Sequence, residues 1–110
     1  MIDWNKVAEL RDEIGAEDFR EVVEIFLEEV DEAIGIMRAG PDISKMECGL
    51  HFLKGSALNL GFSDFSKLCQ AGETAAAAGK QDTVDLAEIL ASYDASKLTF
   101  LAGLEAKMAH

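Results

Sequence analysis

Between Glu17 and Gly40 the chain runs EDFREVVEIFLEEVDEAIGIMRAG, and its apolar residues return at steps of three and four. Phe19, Val23, Phe26, Val30, Ile34 and Met37 therefore share one side of an α-helix, which predicts a long helix laid against a core. Nothing else in the chain competes with helix. There is one proline, Pro41, and β-branched residues rarely cluster, so strands are not expected. Upstream, MIDWNKVAELRDEIG puts Trp4, Val7, Leu10 and Ile14 on one stripe and stops near Gly15. The long helix ends at Gly40-Pro41. Ser44 and Glu47 fit the S-x-x-E capping box, so a third helix is expected from Ser44 to about Leu60, capped by Gly61. A fourth, over roughly 63–78, sets Phe65, Leu68, Cys69 and Gly72 on one side. The last, from about Asp82 to Met108, carries Leu86, Leu90, Tyr93, Leu101, Leu104 and Met108. Short connections between amphipathic helices predict an all-α fold: an antiparallel up-down four-helix bundle with an additional short N-terminal helix packed across it. One domain is expected over residues 1–110.

Charge narrows the partners. A formal net charge of −11 argues against nucleic acid, whose phosphates select basic surfaces, and against an anionic membrane. Two cysteines, Cys48 and Cys69, build no disulfide framework and read as small hydrophobes. No apolar run reaches membrane-spanning length and the N-terminus does not resemble a signal peptide, so a cytoplasmic setting is expected.

The stretch ECGLHFLKGSALNLGF, residues 47–62, carries the chemistry. With 100° per residue and His51 at zero, Met46, Gly49, Leu53, Ala57 and Leu60 fall between about 160° and 240°, the core side. Glu47, Lys54, Gly55 and Leu58 fall within about 60° of His51, which therefore faces solvent. Glycine costs a helix roughly 1 kcal/mol relative to alanine, so two in one helix need a reason. Gly55 clears side-chain bulk from beside the imidazole, whereas Gly49 points inward and permits close helix packing. Neutral imidazole near pH 7 has a free nitrogen lone pair, and a lysine three residues on supplies positive charge. That pairing suits a phosphoryl acceptor, because phosphoryl transfer asks mainly for positioning and charge stabilisation. Leu58, flanked by Phe52, gives the same face an apolar patch suited to docking.

HFLKGSALNLGF resembles the H-x-x-K-G-S-[AS] signature of histidine-containing phosphotransfer (HPt) domains. The resemblance extends over essentially the whole chain, including DWNKVAELRDEIG, the acidic second helix and Cys69, eighteen positions after the histidine. It implies a four-helix bundle whose exposed His51 reversibly carries a phosphoryl group between receiver-domain aspartates. It further implies that Lys54 supports phospho-His51 electrostatically and that Gly55 gives steric access. Receiver domains would dock over a mostly apolar rim, assigned here to Glu47, Cys48, Phe52, Leu58 and Asn59. Mg²⁺ would sit in the receiver's acidic pocket, so no cofactor is expected on this chain. Some members orient the imidazole with a glutamine twenty-two positions after the histidine, where this chain has Glu73. A carboxylate there can accept the ring N–H and fix one tautomer.

Other chemistries lack their residues. Neither histidine belongs to a Glu-x-x-His pair, zinc ligands at usable spacing are missing, and GKQDT is not a P-loop. Without a nucleotide site the chain is expected to be a phosphocarrier rather than an enzyme. His110, the final residue, is expected to fray and is assigned nothing. Three readings stay open: a free-standing relay protein, favoured by the initiator methionine and short length; the phospho-acceptor domain of a chemotaxis-type or hybrid histidine kinase; and an adaptor that binds a receiver without transfer. Its partners are then response-regulator receivers and hybrid kinases, and a monomer is expected because no second exposed apolar stripe is evident.

Overall fold

Helix-forming residues dominate every segment between the glycines, and the computed structural model is helical accordingly. It describes residues 2–40 and 42–108, and of these the side chains of all but 43, 105, 107 and 108. Pro41, the Met108 side chain and His110 lie outside what is described. The elements are α1 (Trp4–Ile14), α2 (Ala16–Ala39), α3 (Met46–Leu60), α4 (Ser63–Ala77) and α5 (Leu86–Met108), with 3₁₀ turns at Ile43–Lys45 and Gln81–Thr83. Among the described residues there is no strand, only an isolated bridge between Ile2 and Phe62. No described helix is long and apolar enough to cross a membrane.

Apolar faces converge on one core. Val23, Val30, Ile34, Leu50, Leu53, Phe65, Tyr93 and Phe100 are all buried there. Phe62 packs edge-on against Phe100 at 5.2 Å between centroids, and Phe65 lies 5.3 Å from Tyr93. Such pairs add about 0.5–1.5 kcal/mol each beyond the area they bury. The α3–α4 turn joins α1 to this core. Gly61 caps α3 with φ +75°, and a Cβ on it would stand 2.6 Å from the Asp3 carbonyl oxygen. Only glycine fits that corner. The Asp3 N–H donates to the Gly61 carbonyl at 2.7 Å, while the Asp3 carboxylate accepts from the Asn5 and Lys6 N–H groups. One residue thus caps α1, worth about 1 kcal/mol, and fastens it to the turn. Trp4 then stacks on Phe100 at 6.0 Å.

Polar bonds join α2 to α5. Asp31 accepts from the Tyr93 hydroxyl on Oδ1 and from Lys97 Nζ on Oδ2, the latter at 2.7 Å. Two turns along α2, Arg38 donates to Asp94 at 2.6 Å. At the opposite end of the same seam the two helices part to leave a cleft of about 580 Å³, lined by Phe19, Val23, Leu27, Leu98 and Leu101 among others. None of the expected site residues lines it.

Several expectations need correction. Ser44 does not cap α3. Its N–H and hydroxyl both bond to Asp42 Oδ1, at 3.0 and 2.6 Å, so Asp42 closes a 3₁₀ turn and α3 starts at Met46 without a side-chain cap. Asp and Ser compete for the same local backbone donors, and the carboxylate is the stronger acceptor. On α2 the buried stripe runs through Leu27, with Phe26 only partly buried. On α3 the deepest residue beside Leu53 is Leu50, while Gly49 is half-buried. A Cβ on Gly49 would come within 2.7 Å of Met37 Cε, so it does sit against α2. The start of α5 is Leu86 rather than Asp82, and its buried positions are Ile89, Tyr93, Ser96 and Phe100. Leu86, Leu90 and Leu104 are partly buried, and Leu101 is exposed.

Candidate functional site

Because α3 buries Met46, Leu50, Leu53, Ala57 and Leu60, the opposite side of the same helix is turned outward, and His51 is on it. Its side chain is 68% exposed. The ring is held rather than free. Nδ1 lies 2.8 Å from Glu73 Oε1 on α4. A carboxylate only accepts, so Nδ1 carries the proton, and in the neutral ring the lone pair is left on Nε2. The other Glu73 oxygen, Oε2, is 2.9 Å from Lys54 Nζ. One carboxylate therefore ties together an imidazole and an ammonium that lie one helical turn apart.

Hydrogen bonds from Lys54 first, then from His51, hold the Glu73 carboxyl below its ordinary value, outweighing the opposing effect of burial. Glu73 is thus an anion when the site is assembled. Lys54 has a second partner in Gln70, whose Oε1 accepts from Nζ at 2.9 Å. The Gln70 amide nitrogen donates in turn to Thr74 Oγ1 at 3.1 Å. Beneath them lies Cys69, fully buried, its thiol pushed up to about 12 by burial and by the charge of Glu73. A thiol so placed stays protonated and unreactive.

Around the ring the surface is open. A Cβ built on Gly55 meets nothing within 4 Å. Phe52 and Leu58 are 43% and 51% exposed, giving the face its apolar character. Glu47, Cys48 and Asn59 are exposed on the same helix. Of the two cysteines read as small hydrophobes, Cys48 is exposed and Cys69 is buried. His51, Lys54 and Glu73 come together as one hydrogen-bonded group, whereas Glu47, Cys48, Phe52, Gly55, Leu58 and Asn59 lie on α3 around it. Among the described residues no three His, Cys, Asp or Glu side chains converge as metal ligands. The residues that sequence reasoning missed are Gln70 and Thr74. With Glu73 they stand at i, i+3 and i+4 on α4, a spacing that puts them on one face of the helix but does not show that this face meets Lys54.

A family model described as "Hpt domain" matches residues 21–106, well over half of the chain. The chain belongs to the Hpt domain family. That places it in histidine phosphotransfer within phosphorelay signalling, among phosphocarriers that interact with receiver domains and kinases. No curated protein and no solved structure matches it. The matched region contains α3 and α4 whole, and with them every residue of the hydrogen-bonded group.

Proposed function

We propose that the protein is a phosphocarrier that takes a phosphoryl group on His51 from the aspartyl phosphate of one receiver domain and delivers it to another. The observation that carries this reading is the held, outward imidazole, with Nδ1–H on Glu73 and Nε2 open. In the transfer the Nε2 lone pair attacks phosphorus in line, the N–P bond forms, and the P–O bond to the aspartyl carboxylate breaks. The proton on Nδ1 stays where it is. The ring gains positive charge as Nε2 is substituted, and the Glu73 carboxylate beside Nδ1 offsets it. Lys54 supplies positive charge to the phosphoryl oxygens, and Gly55 leaves room for them. The reverse step uses the same groups.

Glu47, Cys48, Phe52, Leu58 and Asn59 form the rim on which the receiver docks, with Phe52 and Leu58 as its apolar anchors. The Mg²⁺ of the reaction belongs to the receiver. The chain works as a cytoplasmic monomer, binds neither nucleic acid nor membrane, and has no catalytic cycle of its own. Its four longer helices run antiparallel, up and down, with α1 across the end. Two registers support that topology: Lys54 and His51 meet Gln70 and Glu73 in reversed order, as do Arg38 and Asp31 with Asp94 and Lys97.

The test is phosphate uptake from a labelled receiver. Wild type should acquire acid-labile, base-stable phosphate, and His51→Gln should acquire none while keeping its helical signal and melting temperature. Labelling of the variant at the wild-type level would exclude His51 as the acceptor. Labelling from ATP and a kinase catalytic domain, without any receiver, would instead favour a kinase's own acceptor domain, and no labelling from any source would favour an adaptor.

A further inference from the structure

Lys54 needs explaining. Lysine carries about 2 kcal/mol of rotamer entropy and normally sweeps a wide surface. Here its side chain is only 20% exposed and its ammonium has two acceptors on α4, the Glu73 carboxylate and the Gln70 amide oxygen, each at 2.9 Å. The amide is itself oriented, because its nitrogen donates to Thr74 Oγ1 at 3.1 Å and so aims the oxygen at Lys54. Thr74 is four residues beyond Gln70 on the same helix, so the backbone sets the spacing.

The two acceptors differ in charge, and that difference has a consequence during transfer. The carboxylate is tied to the ring, and a carboxylate alone would hold the ammonium as a closed ion pair. A neutral acceptor keeps the ammonium ordered beside α3 without adding negative charge next to a phosphoryl dianion. When phosphate reaches Nε2, Lys54 can turn part of its donor set to the phosphoryl oxygens while one hydrogen bond to Gln70 persists. An ammonium has three donors, enough for carboxylate, amide and phosphoryl together.

We infer that Gln70 is a positioning residue for phosphoryl transfer, acting through Lys54 and held in place by Thr74. This rests on the proposed role of His51 and names a residue that role does not itself require. Gln70 is exposed on α4, so its replacement leaves the core intact. Gln70→Leu removes the acceptor and the bond to Thr74 together.

The experiment is a double-mutant cycle on the initial rate of phosphate uptake from a phosphorylated receiver, over a range of receiver concentrations. Gln70→Leu should slow uptake roughly fivefold, the size that directly contacting pairs commonly show. The loss should fall on the maximal rate, with the half-saturating receiver concentration and the melting temperature unchanged. In a Lys54→Ala background, itself slowed but not abolished, Gln70→Leu should cost nothing further. An equal loss in both backgrounds would mean that Gln70 touches the receiver and does not act through Lys54. No loss in either would show that the contact has no part in transfer. Either result leaves His51 as the acceptor so long as wild type labels and His51→Gln does not; a wild type that takes up no label sinks both proposals.

Discussion

Two seams of this molecule are closed by the same device, a carboxylate that bridges two partners on the facing helix. Between α2 and α5, Asp31 gives one oxygen to the Tyr93 hydroxyl and the other to Lys97. Between α3 and α4, Glu73 gives one oxygen to His51 and the other to Lys54. The charge pattern is alike, and in both the carboxyl is held below its ordinary value. The aromatic partner makes the difference. Tyr93 has a single polar atom, already used, on a side chain that is buried, and its hydroxyl is pushed upward by burial and by Asp31, so it stays protonated. His51 has two nitrogens, spends one on Glu73 and leaves the other at the surface. A saturated bridge locks two helices. An unsaturated bridge of the same construction leaves a lone pair available for chemistry.

The largest expected effect after loss of His51 tests whether the open seam must stay open. Gly55 has a φ within the ordinary helical range and free space around it, so a side chain there meets no obstacle in the protein itself. Gly55→Gln should therefore raise helix stability by roughly 0.5–1 kcal/mol, since glycine is the poorer helix former. The same change puts bulk beside Nε2 and should slow transfer by roughly tenfold or more, because small displacements from in-line geometry are costly. Opposite signs in thermal melting and transfer kinetics would mark the glycine as a functional concession. A loss of both together would show that it serves packing.

A smaller effect is expected at the closed seam, and on stability alone. Asp31→Ala strips the acceptor from a hydroxyl on a residue only 2% exposed. An unpaired buried hydroxyl costs about 1–3 kcal/mol, against less than about 1 kcal/mol for the neighbouring, exposed Arg38–Asp94 pair. The melting temperature should drop by roughly 4–8 °C for each kcal/mol lost, and Arg38→Ala should barely move it. Phosphate uptake at a temperature where both variants are folded should match wild type. Slower uptake by Asp31→Ala would show that the seams are coupled through the core.

The apolar stripe of α2 and the outward face of α3 were legible in the sequence because each helix alternates sharply between apolar and polar sides. In α2 only one residue was misplaced, Phe26 for Leu27, neighbours on the same flank of the stripe. α5 defeated the same method. It carries leucines at 86, 90, 98, 101 and 104 as well as Ile89 and Phe100, so more than one face is apolar and periodicity cannot choose the phase. Tertiary contacts choose it: Phe100 is buried because Trp4 stacks on it from one side and Phe62 meets it from another. The start of α3 was misread for a local reason, since Asp42 takes the Ser44 hydroxyl before it can cap. At the site, His51, Lys54 and Gly55 lie close in sequence and their shared face follows from helical geometry alone. Glu73 came from the family resemblance, and Gln70 was not seen, because pairing across two helices depends on register that a single helix does not encode.

The smallest expected effect concerns acid, and it separates the seams by exposure. Asp31 is raised by burial but lowered further by hydrogen bonds from Lys97 and Tyr93, and lies below the ordinary value of 3.8. Glu73 lies below 4.5 through its bonds from Lys54 and His51. A carboxyl lowered in the folded state binds fewer protons there than in the unfolded chain, so its stabilisation is complete above the ordinary value and is lost as pH falls through the folded one. Urea midpoints measured from about pH 6 down to about pH 3 should decline in wild type, and less steeply in Asp31→Asn and Glu73→Gln. The change of slope should be larger for Glu73, whose side chain is 17% exposed against 42% for Asp31, because solvent screening weakens the more exposed pair. Glu73→Gln keeps an oxygen for the ring N–H but loses the charge that offsets the imidazolium, so the same variant should still take up phosphate, at a lower rate, while losing its share of the acid sensitivity. Uptake at the full wild-type rate would show that the carboxylate only holds the ring, and that its charge has no part against the imidazolium formed on transfer.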